Sequence, residues 1–135
     1  MSIELHRNRA TPLAQALQIR NHALQADASE TEGGNDAGPS PHDYYDAALA
    51  SCKAITVMWY ARKKGIPVDD IHTAIERDDS QERSGIYKLS ARLRISGSLT
   101  DEQLVELTNV AMKCPVHKLM STVTTEITTT VERMP

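Results

Sequence analysis

The stretch GPSPHDYYDAALASCKAIT, residues 38–56, decides the reading of this chain. Ser40, Pro41 and Asp43 together have the chemistry of a helix start. The hydroxyl caps a free amide, the proline fits the first helical position where no N–H partner is needed, and the acid at the third position reaches back to the cap. A long helix is expected from about 41 to 64, ended by Gly65 and Pro67. Between Ala47 and Ala61, the residues Leu49, Ile55, Val57, Met58, Trp59 and Tyr60 fall on nearly every side, so the helix should pack on several faces. Cys52 lies about twelve residues into it, beyond the reach of the helix dipole, and Lys53 points about 100° away around the axis. A thiolate at Cys52 therefore needs a cation from elsewhere.

Upstream, Ile3 and Leu5, then Leu17, Ile19 and Leu24, alternate in short runs around Thr11-Pro12, which predicts two or three modest strands within residues 3–27. Residues 28–39, ASETEGGNDAGP, hold no large apolar side chain and form a solvated loop. Downstream, residues 71–76 and 86–95 flank the polar turn DDSQERSG. Lys88, Ser90, Arg92 and Arg94 alternate with Leu89, Ala91, Leu93 and Ile95, the pattern of an antiparallel hairpin with one wet face. Thr100 to Gln103 is a second capping box, and Leu104, Leu107, Val110 and Ala111 stripe a second helix that should stop near Cys114. Pro115 restarts a short helix with Cys114 as its cap, and STVTTEITTTVER, residues 121–133, has the β-branched composition of a final strand. These elements make an α+β chain, expected to be a single domain over residues 1–135.

Composition narrows the function classes. Hydrophobic residues at 40% and charged ones at 24% are those of an ordinary globular protein. The net charge of -3 arises from interspersed acids and bases without a basic stripe, which argues against nucleic acid as a partner. No apolar run approaches a membrane span, and MSIELHRNRATP lacks a signal-peptide core, so a cytoplasmic location is expected. In that reducing compartment two cysteines point to chemistry, metal binding or plain burial rather than to a permanent bridge. Cys114, at a helix start, is the more activated of the two by local physics.

The 38–56 stretch and a second one, KCPVHKLM at residues 113–120, occur in order and resemble the family of osmotically inducible protein C and the organic hydroperoxide resistance proteins (OsmC/Ohr). In that family a Gly-x-Ser/Asn-Pro segment opens the helix bearing the peroxide-attacking cysteine, and a later Cys-Pro segment bears its resolving partner. The resemblance spans about residues 20–131. It implies an OsmC-like fold, with antiparallel sheets packed on two main helices and two chains interlocked as a homodimer. By the same resemblance the chain is a cysteine-based organic hydroperoxide reductase. Cys52 is then the attacker and Cys114 the resolving thiol, and the disulfide they form is reopened by an external dithiol, for which the resemblance points to a lipoyl-type one. No metal or organic cofactor is implied. Leu49, Ile55, Met58, Leu119 and Met120 are candidate apolar walls for the hydroperoxide.

The family's usual Glu after the helix-opening Pro is replaced by His42 or Asp43, of which Asp43 keeps the carboxylate. Nine residues of straight helix would put Asp43 about 13 Å from Cys52. For the activating arginine, Arg7, Arg9 and Arg20 are the candidates, and Arg20, in the strand-like ALQIRNHAL, is preferred, with His22 beside it. Two other readings remain: a metal site built on Cys114 and His117 with Cys52, His22 and His42, and a non-catalytic redox sensor or binding module on the same fold.

Overall fold

Ser40 opens the long helix as its sequence requires. Its Oγ accepts from the Asp43 amide at 3.1 Å, and Asp43 Oδ2 accepts in return from the Ser40 amide at 2.9 Å. The structure, a computed structural model describing residues 1–135, runs this helix, α1, over Pro41–Lys64. The strands β1 (Ile3–Arg7), β2 (Gln15–Ile19) and β3 (His22–Ala26) precede it, and β4 (Val68–Asp78) and β5 (Lys88–Gly97) follow. The helices α2 (Asp101–Met112) and α3 (Pro115–Ser121) complete the α+β architecture, in which both sheets are antiparallel. The chain divides into two units, Met1–Ala48 with Ile75–Ser90, and Leu49–Ala74 with Ala91–Pro135.

In the first unit β1, β2 and β3 form a meander in chain order, with Leu5 opposite Leu17 and Leu17 opposite Leu24. The expected loop at 28–39 is organised around the buried Asp27. Its carboxylate accepts from the amides of Ala28 (2.7 Å), Asn35 (3.1 Å) and Ala37 (3.1 Å). Those amide contacts, Ala37 first, hold the Asp27 carboxyl below its ordinary value against the opposing effect of burial. Gly34 is buried in the same loop, and any Cβ there would lie 2.2 Å from the Ala28 carbonyl oxygen, so only glycine fits. Tyr44 then ties α1 to β3 by donating to the Gln25 carbonyl.

The second unit holds the principal core, where Val57 and Ala61 of α1 meet Ile66 and Leu107, with Leu93, Ile95, Val110 and Ala111 packed around them. The β5 alternation appears as expected: Leu89, Ala91, Leu93 and Ile95 are half-buried while Lys88, Ser90, Arg92 and Arg94 are exposed. The Thr100–Gln103 capping box forms with both of its hydrogen bonds. Leu107 of its helix is buried, whereas Leu104 is nearly half exposed.

Two expectations are corrected. β4 extends past Glu76 to Asp78, which brings Arg77 into the strand. The final strand is absent: residues after Ser121 belong to neither sheet, and Ile127 and Val131 are almost fully exposed. β-branched composition favours a strand only where the segment pairs with an edge, and these residues pair with none of the edges that β1, β3, β4 and β5 present. The expected all-round packing of α1 also holds only in part, since Leu49 and Val57 are buried but Ile55 is 68% and Trp59 59% exposed.

Candidate active site at the two cysteines

The row Leu49, Lys53, Val57 and Ala61, each four residues apart, is the buried edge of α1 in the second unit. Three of its members are apolar, and the fourth is a lysine. Its ammonium donates to the Ala111 carbonyl at 2.8 Å, at the end of α2, and lies 2.9 Å from His117 Nδ1 on α3. An ammonium has only donors, so Nδ1 accepts and the His117 proton sits on Nε2. One buried cation thus ties three helices together beside the cysteines.

Cys52 is half-buried and Cys114 fully buried, and neither is in a disulfide. Cys114 caps α3, its Sγ accepting from the His117 amide at 3.4 Å. Cys52 lies near enough to Cys114 to favour the protonated form of that thiol. Cys52 Sγ also lies 3.9 Å from Thr56 Oγ1, one helical turn on. Burial pushes the Cys114 thiol up, the His117 amide opposes it, the nearby Cys52 adds to it, and the Lys53 charge opposes it again. The helix-start argument anticipated an activated Cys114. Desolvation outweighs it, because a thiolate with no access to water loses more than one capping amide returns.

Along the same helix face as Cys52, Ile55 and Trp59 follow at the i+3 and i+7 positions. With Ala54, Met58, Arg62 and Lys63 they line an open groove of about 680 Å³. Of the expected apolar walls, Ile55 and Met58 line this groove, Leu49 belongs to the buried row, Leu119 is exposed and Met120 is half-buried.

In the first unit Asp43 and Asp46, three residues apart on one face of α1, both meet Arg77 of β4. Arg77 Nη2 donates to Asp43 Oδ1 at 2.6 Å and Nε to Asp46 Oδ2 at 2.5 Å. Tyr87 donates to the second oxygen of Asp46 at 2.6 Å. The Ser40 amide first, and then Arg77, hold the Asp43 carboxyl below its usual value, while burial and Asp46 push Tyr87 up to about 12. Arg20 is not in this cluster. It occupies the turn between β2 and β3 at φ 53°, a conformation outside any strand. His22 is exposed at the start of β3, and His42 pairs with Glu82 at 2.6 Å. Nowhere do three or more His, Cys, Asp or Glu side chains converge on a position that could hold a metal ion.

The family model for OsmC-like protein matches residues 33–130, a span that includes both cysteines, the Asp43 cluster and Lys53. This chain belongs to the OsmC-like family. The OsmC-like protein of Mycoplasma pneumoniae superposes with a TM-score of 0.71 at 17% identity, covering 90% of this chain and 87% of its own. An organic hydroperoxide resistance protein OsmC from Legionella pneumophila gives 0.65 at 18% identity over 90% and 88%. The organic hydroperoxide resistance protein OhrB of Bacillus subtilis gives 0.56 at 20% over 90% of each. At such identities the likeness establishes the OsmC-like fold. No curated protein matches the sequence. No helix of the chain is long and apolar enough to cross a membrane.

Sequence reasoning missed the burial of Lys53 and missed Arg77 altogether, and each had a signal. Lys53 stands in an apolar i, i+4 row and so had to be buried. Asp43 and Asp46 present two acids on one helix face, which calls for a cation between them.

Proposed function

We propose that this OsmC-like chain is a thiol peroxidase for organic hydroperoxides, working as one OsmC-like domain in a reducing, cytoplasmic setting. The observation that carries the reading is a pair of free thiols, half-buried Cys52 on α1 and buried Cys114 capping α3, near enough that Cys52 helps push the Cys114 thiol up, in a family fold whose solved members include proteins called organic hydroperoxide resistance proteins. The Cys52 thiolate attacks the distal peroxide oxygen. An S–O bond forms, the O–O bond breaks, and the alkoxide leaves to take a proton as the alcohol. Cys114 as thiolate then attacks the Cys52 sulfur, expelling hydroxide, which is protonated to water. An external dithiol, in our reading lipoyl-type, reduces the disulfide and becomes a disulfide itself.

The exposed Ile55 and Trp59 beside half-buried Cys52 favour an apolar hydroperoxide over a small polar one. Asp43 takes the place of the family carboxylate, and we assign its partner role to Arg77 rather than Arg20, because Arg77 is the arginine whose guanidinium meets Asp43. A homodimer follows from the same reading. The unpaired β-branched tail after Ser121 and the apolar groove on α1 are surfaces that a second copy would cover.

One observation favours a second reading, a redox sensor that oxidises once. Arg77 donates to two carboxylates, with no thiol among its partners. Steady-state consumption of cumene hydroperoxide with dihydrolipoamide as reductant decides between them. Sustained turnover is expected, and one equivalent consumed followed by arrest would favour the sensor.

A further inference from the structure

We propose that Lys53, clamped by the Ala111 carbonyl and His117 Nδ1, is the buried counter-charge that makes Cys114 able to close the disulfide. The inference rests on the two-thiol reading above and adds to it a residue that the reading does not require.

Lys53 lies within the buried row of α1, where an unpaired ammonium would be costly, yet it is satisfied by only two acceptors, both neutral. A lysine has three donors. Two of its N–H bonds are occupied, and the residue that holds its ammonium at 2.9 Å, His117, also donates its amide to the buried Cys114 Sγ at 3.4 Å, so the charge and the sulfur share one neighbour and the charge favours a thiolate there. Nothing in the core needs a cation here. Methionine would fill the same row without any desolvation cost, so the charge has to be explained by what it faces.

The groups acting on the Cys114 sulfur are Cys52 and Lys53 from α1 and the His117 amide from α3. While Cys52 is reduced, its nearness and any negative charge on it oppose ionisation of Cys114, so the two thiols do not ionise together. Once Cys52 becomes a sulfenic acid, that opposition is gone. The Lys53 charge and the His117 amide remain, and both favour the Cys114 thiolate at the moment it must attack. The resolving thiol is thus kept protonated in the resting protein and released by oxidation of its partner. In the closing step Cys114 as thiolate forms the S–S bond, the S–O bond of Cys52 breaks, and the departing hydroxide takes up a proton as water. Lys53 is a positioning charge throughout and exchanges no atoms.

The test needs no peroxide, so its outcome is independent of whether the chain is a peroxidase. In a Cys52→Ser background only one thiol remains, and its ionisation is read from thiolate absorbance at 240 nm against pH. Lys53→Met and Lys53→Gln should each raise the midpoint by about one pH unit, a tenfold loss of thiolate at fixed pH, and Lys53→Arg should restore most of it. Gln keeps a polar end in the clamp, so it covers the case in which Met disturbs the fold. In the two-cysteine protein the same charge-removing variants are followed from the Cys52 sulfenic acid, once it has formed, to the disulfide. Closure of the disulfide should slow about threefold, because the scarcer thiolate is also the more nucleophilic one. A folded Lys53→Gln protein whose Cys114 midpoint stays at that of the Cys52→Ser parent overturns the proposal and leaves Lys53 a structural clamp.

Discussion

Replacing Arg77 by methionine tests how the Asp43–Asp46 cluster is held, and its cost follows from the geometry. Asp46 is the sensitive partner: its side chain is 7% exposed and it accepts from Arg77 Nε at 2.5 Å and from Tyr87 at 2.6 Å. Removing one partner of a fully buried ion pair costs about 3–5 kcal/mol. The Arg77 side chain is 30% exposed, so water screens the pair and a remaining Tyr87 hydroxyl stays on Asp46, which lowers the expectation to about 2 kcal/mol. Asp43 is half exposed and keeps the Ser40 amide, adding no more than about 0.5 kcal/mol. With an unfolding entropy of about 2.1 cal/mol/K per residue over 135 residues, a loss of about 2.5 kcal/mol lowers Tm by about 9 °C. Urea melts at one fixed protein concentration give the free energy and calorimetry the Tm. Adding Asp46→Asn to Arg77→Met should recover about half of the loss, since the amide oxygen still accepts from Tyr87 without a stranded charge. A loss below about 0.5 kcal/mol, or an Asp46→Asn change that deepens it, would refute the claim that the stranded carboxylate sets the cost.

In a peroxide assay, Cys52→Ser should abolish consumption, whereas Cys114→Ser should consume about one equivalent and accumulate a dimedone-trappable sulfenic acid at Cys52; a rapid dimedone adduct at Cys114 in Cys52→Ser would reverse the roles. Tyr87, pushed up to about 12 from 10.0, stabilises the fold in its protonated form, so its contribution is complete below pH 10 and declines as pH rises from 10 toward 12. Tyr87→Phe should therefore remove that alkaline slope from urea midpoints and the matching phenolate step at 295 nm. For the homodimer, sedimentation should give twice the chain mass, and truncation after Thr122 should shift the protein to monomer; a full-length chain that sediments as a monomer at every concentration contradicts the dimer.

What could be read from the sequence was whatever is decided locally. Ser40-Pro41 and Thr100 start helices because capping is settled within four residues, and β5 could be placed because Leu89 to Ile95 alternate without a break. The two cysteines stood out through the segments that bear them. Features that depend on distant partners were harder. Arg77 lay in what looked like the polar approach to a turn, and only β4 reaching Asp78 puts it opposite Asp43 and Asp46. The tail carries strand composition without a strand, because pairing needs an edge that composition does not supply. Cys114 was read from its cap position alone, and its full burial reverses the sign of the expected shift. Lys53 was judged by its angle to Cys52, although the sulfur its charge acts on is that of Cys114, contributed by another helix.

The central claim, that Cys52 and Cys114 act as one redox pair, is tested most directly by a single turnover. The reduced protein is mixed with one equivalent of cumene hydroperoxide, quenched by alkylation and mapped by peptide mass spectrometry. The account predicts stoichiometric loss of both free thiols and a peptide pair joined through Cys52 and Cys114, and recovery of both cysteines as alkylated thiols with the hydroperoxide unconsumed would contradict it.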